Sequence, residues 1–158
     1  MIFVTVGTQN FQLNRLLRQV DFLIQDGQIN EEVFAQRGNS EYIPQYYAYQ
    51  DFLSKEEFNQ MVNKCDILIT HSGVGTIILG MKFQKPIIVF PRLAKYHEHV
   101  DDHQLQIAKA FSESNFVLLC QNECQLYEKI SQARSMTFQV YQSHRENIIN
   151  EIRDFLGK

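Results

Sequence analysis

The stretch Ile67-Leu68-Ile69-Thr70-His71-Ser72-Gly73-Val74-Gly75-Thr76 decides the fold of this chain. Its first four residues are an apolar run of strand type. Its end is rich in glycine and leads into an apolar, helix-compatible run over residues 77–83, and then into a further strand over residues 86–90. A glycine-rich turn between a strand and a helix gathers backbone N–H groups at the positive end of the helix, which suits a phosphate or diphosphate. Glycine is expected there because a Cβ would collide with the approaching ligand. The segment is not a P-loop, since no Gly-Lys-Ser/Thr follows at the required spacing. Nor is it the dinucleotide fingerprint, which would need a third small residue at Ile78 and an acidic residue about 20 positions on, at the end of a second strand.

Working outward, strands and helices alternate. A strand over residues 2–8 ends in Gly7-Thr8. Leu13, Leu16, Leu17, Val20 and Ile24 then recur at helical spacing. Residues 32–36 read as a second strand, residues 37–45 as a loop containing Gly38, Asn39, Ser40 and Pro44, and residues 46–49 as a third strand. Ser54-Lys55-Glu56-Glu57 is a capping box that starts a helix running to about Lys64. After residue 90 comes a polar loop over residues 91–100. Asp101 or Asp102 is expected to cap a helix carrying Leu105, Ala108 and Phe111. Residues 116–120 read as one more strand, and Asn122 as the cap of the helix after it.

This alternation predicts an α/β, Rossmann-like three-layer arrangement, a mostly parallel sheet with helices on both faces. Ligands in such sheets bind beyond the carboxyl ends of the strands. Residues 7–11, 71–76 and 91–103 all fall at those ends. A last helix within residues 141–158 carries Tyr141, Ile148, Ile149, Ile152, Phe155 and Leu156. Its stripe has two readings, docking on the sheet or docking on another chain, because large apolar groups at a terminus usually need a partner.

The bulk properties bound the function. A chain of 158 residues reads as one domain, residues 1–158, able to bury roughly 70% of its unfolded surface without disulfide or metal. A net charge of −3 and the lack of a basic run argue against nucleic acid as a partner. The cluster Lys82, Lys85, Arg92 and Lys95 is either solvated surface or the rim of an anion site. Three cysteines, Cys65, Cys120 and Cys124, read as reduced, cytosolic thiols. Cys120-x3-Cys124 lacks the second ligand pair of a structural zinc site. No signal sequence precedes the first strand, and no apolar run approaches the roughly 20 residues that span a bilayer. The expectation is a cytoplasmic chain that reaches a membrane through a partner.

His97-Glu98-His99-Val100-Asp101-Asp102-His103 is the second chemical cluster. It comes near the H-x-H-x-D-H run of metallo-β-lactamase-like hydrolases but misses it by one residue, and His71 and His144 do not complete a site. The other reading is a loop that closes over a nucleotide. Asp102, His103 and Gln104 would then contact the ligand from the start of a helix, with Arg92 and Lys95 near the phosphates.

Together Val4-Thr5-Val6-Gly7-Thr8, residues 71–76, Lys85-Pro86-Ile87-Ile88-Val89-Phe90-Pro91-Arg92, and Glu98 with Asp102-His103-Gln104 resemble the C-terminal-domain family of GT-B glycosyltransferases, family 28 type. The resemblance covers almost the whole chain, with its blocks in the right order. It is closest to the short bacterial subunits of exopolysaccharide and capsule synthesis. It extends to the soluble subunit of the eukaryotic dolichol-linked N-acetylglucosaminyltransferase. The resemblance implies the C-terminal, UDP-sugar-binding half of a split enzyme. A membrane-anchored partner would hold the lipid-linked acceptor, and residues 141–158 would be a candidate docking element. It further implies a substrate-binding set of Gly7, Thr8, His71, Ser72, Gly73, Gly75, Thr76, Arg92, Glu98, His103 and Gln104. One position departs from the pattern. The single-chain peptidoglycan relative has a ribose-binding Glu three residues after the equivalent of Thr76; here that residue is Leu79. Glu98 or Asp102 is the substitute to test.

The expected reaction is inverting transfer of a hexose, galactose or glucuronate, from a UDP-sugar without a metal. The base is unassigned, with Asp102 and His103 as candidates. A non-catalytic enhancer of a membrane glycosyltransferase and a metal-dependent hydrolase remain as other readings. Self-association of the isolated chain is expected if its apolar docking face is exposed.

Overall fold

A computed structural model of the chain describes residues 1–142 and 145–157; His144 lies outside them, as does the side chain of Ile148. Among the described residues, six strands form one parallel sheet: β1 (Ile2–Thr5), β2 (Val33–Gln36), β3 (Ala48–Gln50), β4 (Ile67–Thr70), β5 (Ile87–Val89) and β6 (Leu118–Leu119). Their order across the sheet is β3-β2-β1-β4-β5-β6. The fold is the expected α/β, Rossmann-like three-layer sheet. The register pairs Ile2 with Val33 on one side and with Ile67 on the other. The strand order reverses between β1 and β4, so a crevice opens beyond their carboxyl ends, where ligands of such sheets bind.

Alternation along β1 explains the two cores. Ile2, Val4 and Val6 face one way, into a cluster with Leu16, Leu17 and Val20 of α1 (Asn14–Gln25) and Leu126 and Ile130 of α5 (Leu126–Ser135). Phe3 faces the other way, with Val62 of α2 (Lys55–Lys64), Ile77 and Met81 of α3 (Val74–Lys82), and Ile107 and Phe111 of α4 (His103–Glu113). Both faces are covered, which is why the strands read as near-continuous apolar runs.

Local signals place most boundaries. The Ser54 capping box forms: Ser54 Oγ accepts from Glu57 N at 3.2 Å, and Ser54 N donates to Glu57 Oε2 at 2.8 Å. The third strand begins two residues later than expected. Tyr42 OH, Gln45 N and Tyr46 N all donate to buried Asp21, and these bonds hold residues 42–46 as a loop against α1. Asn122 makes no side-chain cap; it precedes a short 3-10 turn, Glu123–Gln125, and α5 starts only after that. At α4 the carboxylates divide the work. Asp101 accepts from His103 N at 3.0 Å, whereas Asp102 turns back to accept from Ala94 N at 2.8 Å.

The C-terminal helix α6 (Arg145–Leu156) packs on α4. Ile152 and Leu156 join the second core, and Phe155 lines a small cavity of about 70 Å³ with Phe111 and Phe116. The apolar groups near the end of the chain therefore have a partner within the domain. Among the described residues, no helix is long and apolar enough to cross a membrane.

Candidate anion-binding site

Beyond the carboxyl ends of β1, β2 and β4 lies a cavity of about 400 Å³. Gly7, Thr8 and Gln9 form one wall, and His71, Gly73, Gly75 and Thr76 the opposite one. Gln36, Leu53, Lys55 and Phe58 close the third side. Six residues expected at a phosphate site thus come together. Ser72 sits among them but is buried, and its Oγ has no hydrogen-bond partner among the described residues.

The chain enters α3 through Gly73, which is extended (φ −75°, ψ 112°), and the first helical bond runs from Ile77 N to Gly73 O at 3.0 Å. The N–H groups of Val74, Gly75 and Thr76 therefore have no intrahelical acceptor. Their helix end carries partial positive charge toward the cavity, and its first turn holds no acidic residue. Lys55, at the start of α2, adds a cation at the rim.

The glycines are required for a reason other than the expected one at two of three positions. A Cβ at Gly7 would lie 2.5 Å from His71 Cε1, and one at Gly73 would lie 2.6 Å from His71 Nε2. The imidazole is wedged between the two turns, so the space that these glycines leave is filled by protein. Gly7 also has φ +76°, a conformation that side chains resist. Only Gly75 matches the expectation of open approach, since nothing lies within 4 Å of its Cβ position.

His71 is 6% exposed, and its Nδ1 lies 3.3 Å from Thr70 Oγ1. Burial and the nearby Arg92 guanidinium push its pKa down to about 3, against a smaller opposing pull from the Thr5 carbonyl. It is a neutral spacer at physiological pH. A buried polar chain supports the same floor. Leu53 N donates to Gln36 Oε1 at 3.0 Å, Gln36 Nε2 to Thr5 Oγ1 at 3.1 Å, and Gly7 N to the same Oγ1 at 3.3 Å. The sequence marked Gln36 only as the end of a strand. A polar residue in an otherwise apolar run was the available signal.

The other expected contacts do not line the cavity. Arg92 is fully buried, and its guanidinium donates to the carbonyls of Val6, Phe11 and Gln12. Its role is to hold the loop after β1, not to meet a ligand at the surface. Burial lowers its pKa to about 10, so it stays charged. Glu98 is also fully buried. It accepts from Arg15 Nε at 2.7 Å, Arg15 Nη2 at 2.9 Å and Leu93 N at 2.9 Å. Both oxygens are engaged inside the protein, away from the cavity. Gln104 Oε1 accepts from Arg92 N at 3.0 Å, so this side chain too serves the fold. Asp102 is committed to Ala94 N, and His103 is exposed at the start of α4. Leu79 packs against the second core and faces no ligand. Among the described residues, no three His, Cys, Asp or Glu side chains form a metal-ligand group, so the run at residues 97–103 is not one.

The sequence model of the glycosyltransferase family 28 C-terminal domain matches residues 1–157. The chain belongs to this family. Among curated relatives, the UDP-N-acetylglucosamine transferase subunit ALG13 of Candida albicans is 31% identical over 42% of this chain and 22% of that protein. The human protein of the same name is 24% identical over 85% of this chain and 12% of that one. The UDP-N-acetylglucosamine–N-acetylmuramyl-(pentapeptide) pyrophosphoryl-undecaprenol N-acetylglucosamine transferase of Prochlorococcus marinus is 27% identical over 78% and 34% of the two chains. The family 28 chain thus spans between 12% and 34% of the length of these relatives. Solved structures agree in fold. The solution structure of ALG13 has a TM-score of 0.60 at 20% identity, covering 96% of this chain and 94% of that one. The glycosyltransferase SnogD of Streptomyces nogalater has a TM-score of 0.61 at 14% identity, covering 98% of this chain but 39% of that one.

Proposed function

We propose that this chain binds the UDP-sugar donor for a two-chain, inverting glycosyltransferase. Its partner would be a membrane-anchored chain holding a lipid-linked saccharide acceptor. The observation that carries the reading is the cavity itself. Two backbone turns face each other across it, one of them the positive end of α3, and Lys55 is at its rim. That arrangement suits a diphosphate. The word "subunit" in the name of the ALG13 relatives and the undecaprenol acceptor in that of the third support the split and the lipid-linked acceptor. The partner would place the complex at the inner face of the plasma membrane.

In the proposed reaction the acceptor hydroxyl attacks the anomeric carbon from the face opposite UDP. The new C–O bond forms as the bond to the β-phosphate oxygen breaks, UDP leaves with the electron pair, and the configuration inverts. Negative charge grows on the diphosphate, where the N–H groups of α3 and Lys55 stabilise it, so the reaction needs no metal. The acceptor proton must pass to a base within hydrogen-bond reach. His71 lines the cavity, but with its pKa pushed down to about 3 it is too buried and too weak a base to serve. Asp102 and His103 do not line the cavity. The proposal places the base on the partner.

Hexose transfer, galactose or glucuronate, in capsule or exopolysaccharide assembly is the specific form proposed. Calorimetric titration with UDP, UDP-galactose, UDP-glucuronate and UDP-N-acetylglucosamine, with and without EDTA, tests it. Saturable binding that survives EDTA supports the donor reading, and the preferred sugar names the reaction. No binding by the chain alone or by the co-expressed pair overturns it. Robust transfer by the chain alone would refute the two-chain enzyme.

A further inference from the structure

The loop after β1 is held from outside the cavity by two side chains. Asn39 Nδ2 donates to Gln9 O at 2.9 Å and to Thr8 O at 3.3 Å. Arg92 gathers the carbonyls of Val6, Phe11 and Gln12. Gly38 (φ +60°) lies against Gly7 O so closely that a Cβ there would be 2.4 Å from it. Neither Asn39 nor Arg92 lines the cavity, whereas Gly7, Thr8 and Gln9 do.

A trans peptide is planar, so its N–H points opposite its C=O. With Gly7 O and Thr8 O turned toward residues 38–39, and Gln9 O shared between Asn39 Nδ2 and Phe11 N at 2.8 Å, the N–H groups of Thr8, Gln9 and Asn10 point away from those partners. None of the three has a hydrogen-bond partner among the described residues. Successive N–H groups aimed at one place form an anion-binding concavity.

We propose that Asn39 and Arg92 are positioning residues for the diphosphate: by drawing the loop carbonyls to themselves, they turn its N–H groups onto the ligand. The proposal rests on the donor reading of the cavity and specifies which part of the donor the loop after β1 recognises. Arg92 acts on the ends of the loop and Asn39 on its tip. Gln104, through its bond to Arg92 N, ties α4 to the same loop without touching the ligand.

The test is a calorimetric comparison of UDP, UMP and uridine binding to wild type, Asn39→Ala and Arg92→Lys, with Tm recorded for each. Asn39 is exposed, so Asn39→Ala is expected to leave Tm and uridine affinity unchanged while weakening UDP roughly fivefold to tenfold. Its preference for UDP over uridine then shrinks by that factor. Arg92→Lys should lose more of the same preference, because an ammonium cannot span three carbonyls. A general structural role would lower UDP and uridine together, and that result overturns the proposal. So does an Asn39→Ala chain with the wild-type preference for UDP. Wild-type chain and co-expressed pair that bind neither ligand would instead sink the donor reading, and the positioning role with it.

Discussion

Residues 71–76 and residues 97–104 are the two chemically richest segments, and the fold uses them in opposite ways. The first is poor in charge, and its turn leaves backbone N–H groups open to a cavity. The second holds three imidazoles and three carboxylates, yet Glu98, Asp101, Asp102 and Gln104 bond to Arg15 or to backbone N–H groups of residues 92–103. A polar cluster in a sequence marks groups that must be satisfied. Only its surroundings decide whether a ligand or the protein satisfies them.

The sharpest way to break this contrast is to charge the open turn. Gly75→Asp puts a carboxylate where the cavity has room, so UDP affinity should fall by at least about 100-fold, on the order of the loss of a charge-assisted contact plus repulsion. Tm should hardly move. Unchanged affinity in a titration would mean that the anion does not bind at α3. The converse change is Glu98→Ala, which leaves the Arg15 guanidinium, set over the Phe90 and Tyr96 rings, with only the longer contacts to Glu123 at 3.3 Å and Pro91 O at 3.4 Å, and leaves Leu93 N without its acceptor. Removing one partner of a buried pair costs up to about 3–5 kcal/mol when the other is left alone, and the remaining Glu123 contact should keep the loss toward or below the lower end. Urea unfolding should therefore show a large stability loss, while UDP affinity of the folded fraction stays within about twofold, since Glu98 does not line the cavity. A selective loss of UDP binding would return Glu98 to the site.

Acid gives a smaller effect with a definite sign. The folded pKa of His71 is about 3, below its ordinary 6.5, so the unfolded chain binds the extra proton first. Stability contributed by neutral His71 is complete above pH 6.5 and is lost as pH falls toward 3. Between pH 6.5 and 4.5 the loss should be roughly 2 kcal/mol. Glu31, Glu57, Asp66 and Asp101, held below the usual carboxylate range by their hydrogen-bond and charge partners, add their loss mainly at and below the acid end of that window. His71→Asn should flatten the denaturant-derived stability curve there; an unchanged slope would assign it elsewhere. The smallest effect belongs to His97, exposed and left-handed at φ +57°. His97→Gly should stabilise the chain by up to about 1 kcal/mol, visible as a small rise in urea midpoint, and leave UDP titrations unaltered.

The sheet was legible because its central strands β1, β4 and β5 are almost wholly apolar runs and the helices between them repeat an apolar face. The strand at residues 46–49 shifted because Asp21, 25 positions upstream of Tyr46, claims that backbone, a contact no local pattern reveals. The backbone half of the candidate cavity could be placed from Gly7-Thr8 and residues 71–76, which follow β1 and β4, but not that Gly7 and Gly73 make room for the His71 ring while Gly75 alone is open. Arg92, Glu98 and Gln104 were legible as polar residues near the site, but not as inward-facing ones. The direction of a side chain depends on Arg15 and on loop carbonyls far away in sequence. Asn39 and Gln36 looked like ordinary loop and strand-end residues for the same reason.

The wedging of His71 between Gly7 and Gly73 has an evolutionary consequence. Positions 71 and 73 cannot change independently: an Ala at 73 is blocked while the imidazole is present, and a smaller residue at 71 opens a hole that an Ala at 73 can help fill. A lineage can cross between the two states only by shrinking position 71 first, so the order of the substitutions is constrained. In a double-mutant cycle, this constraint should appear as strong sign epistasis between the two sites.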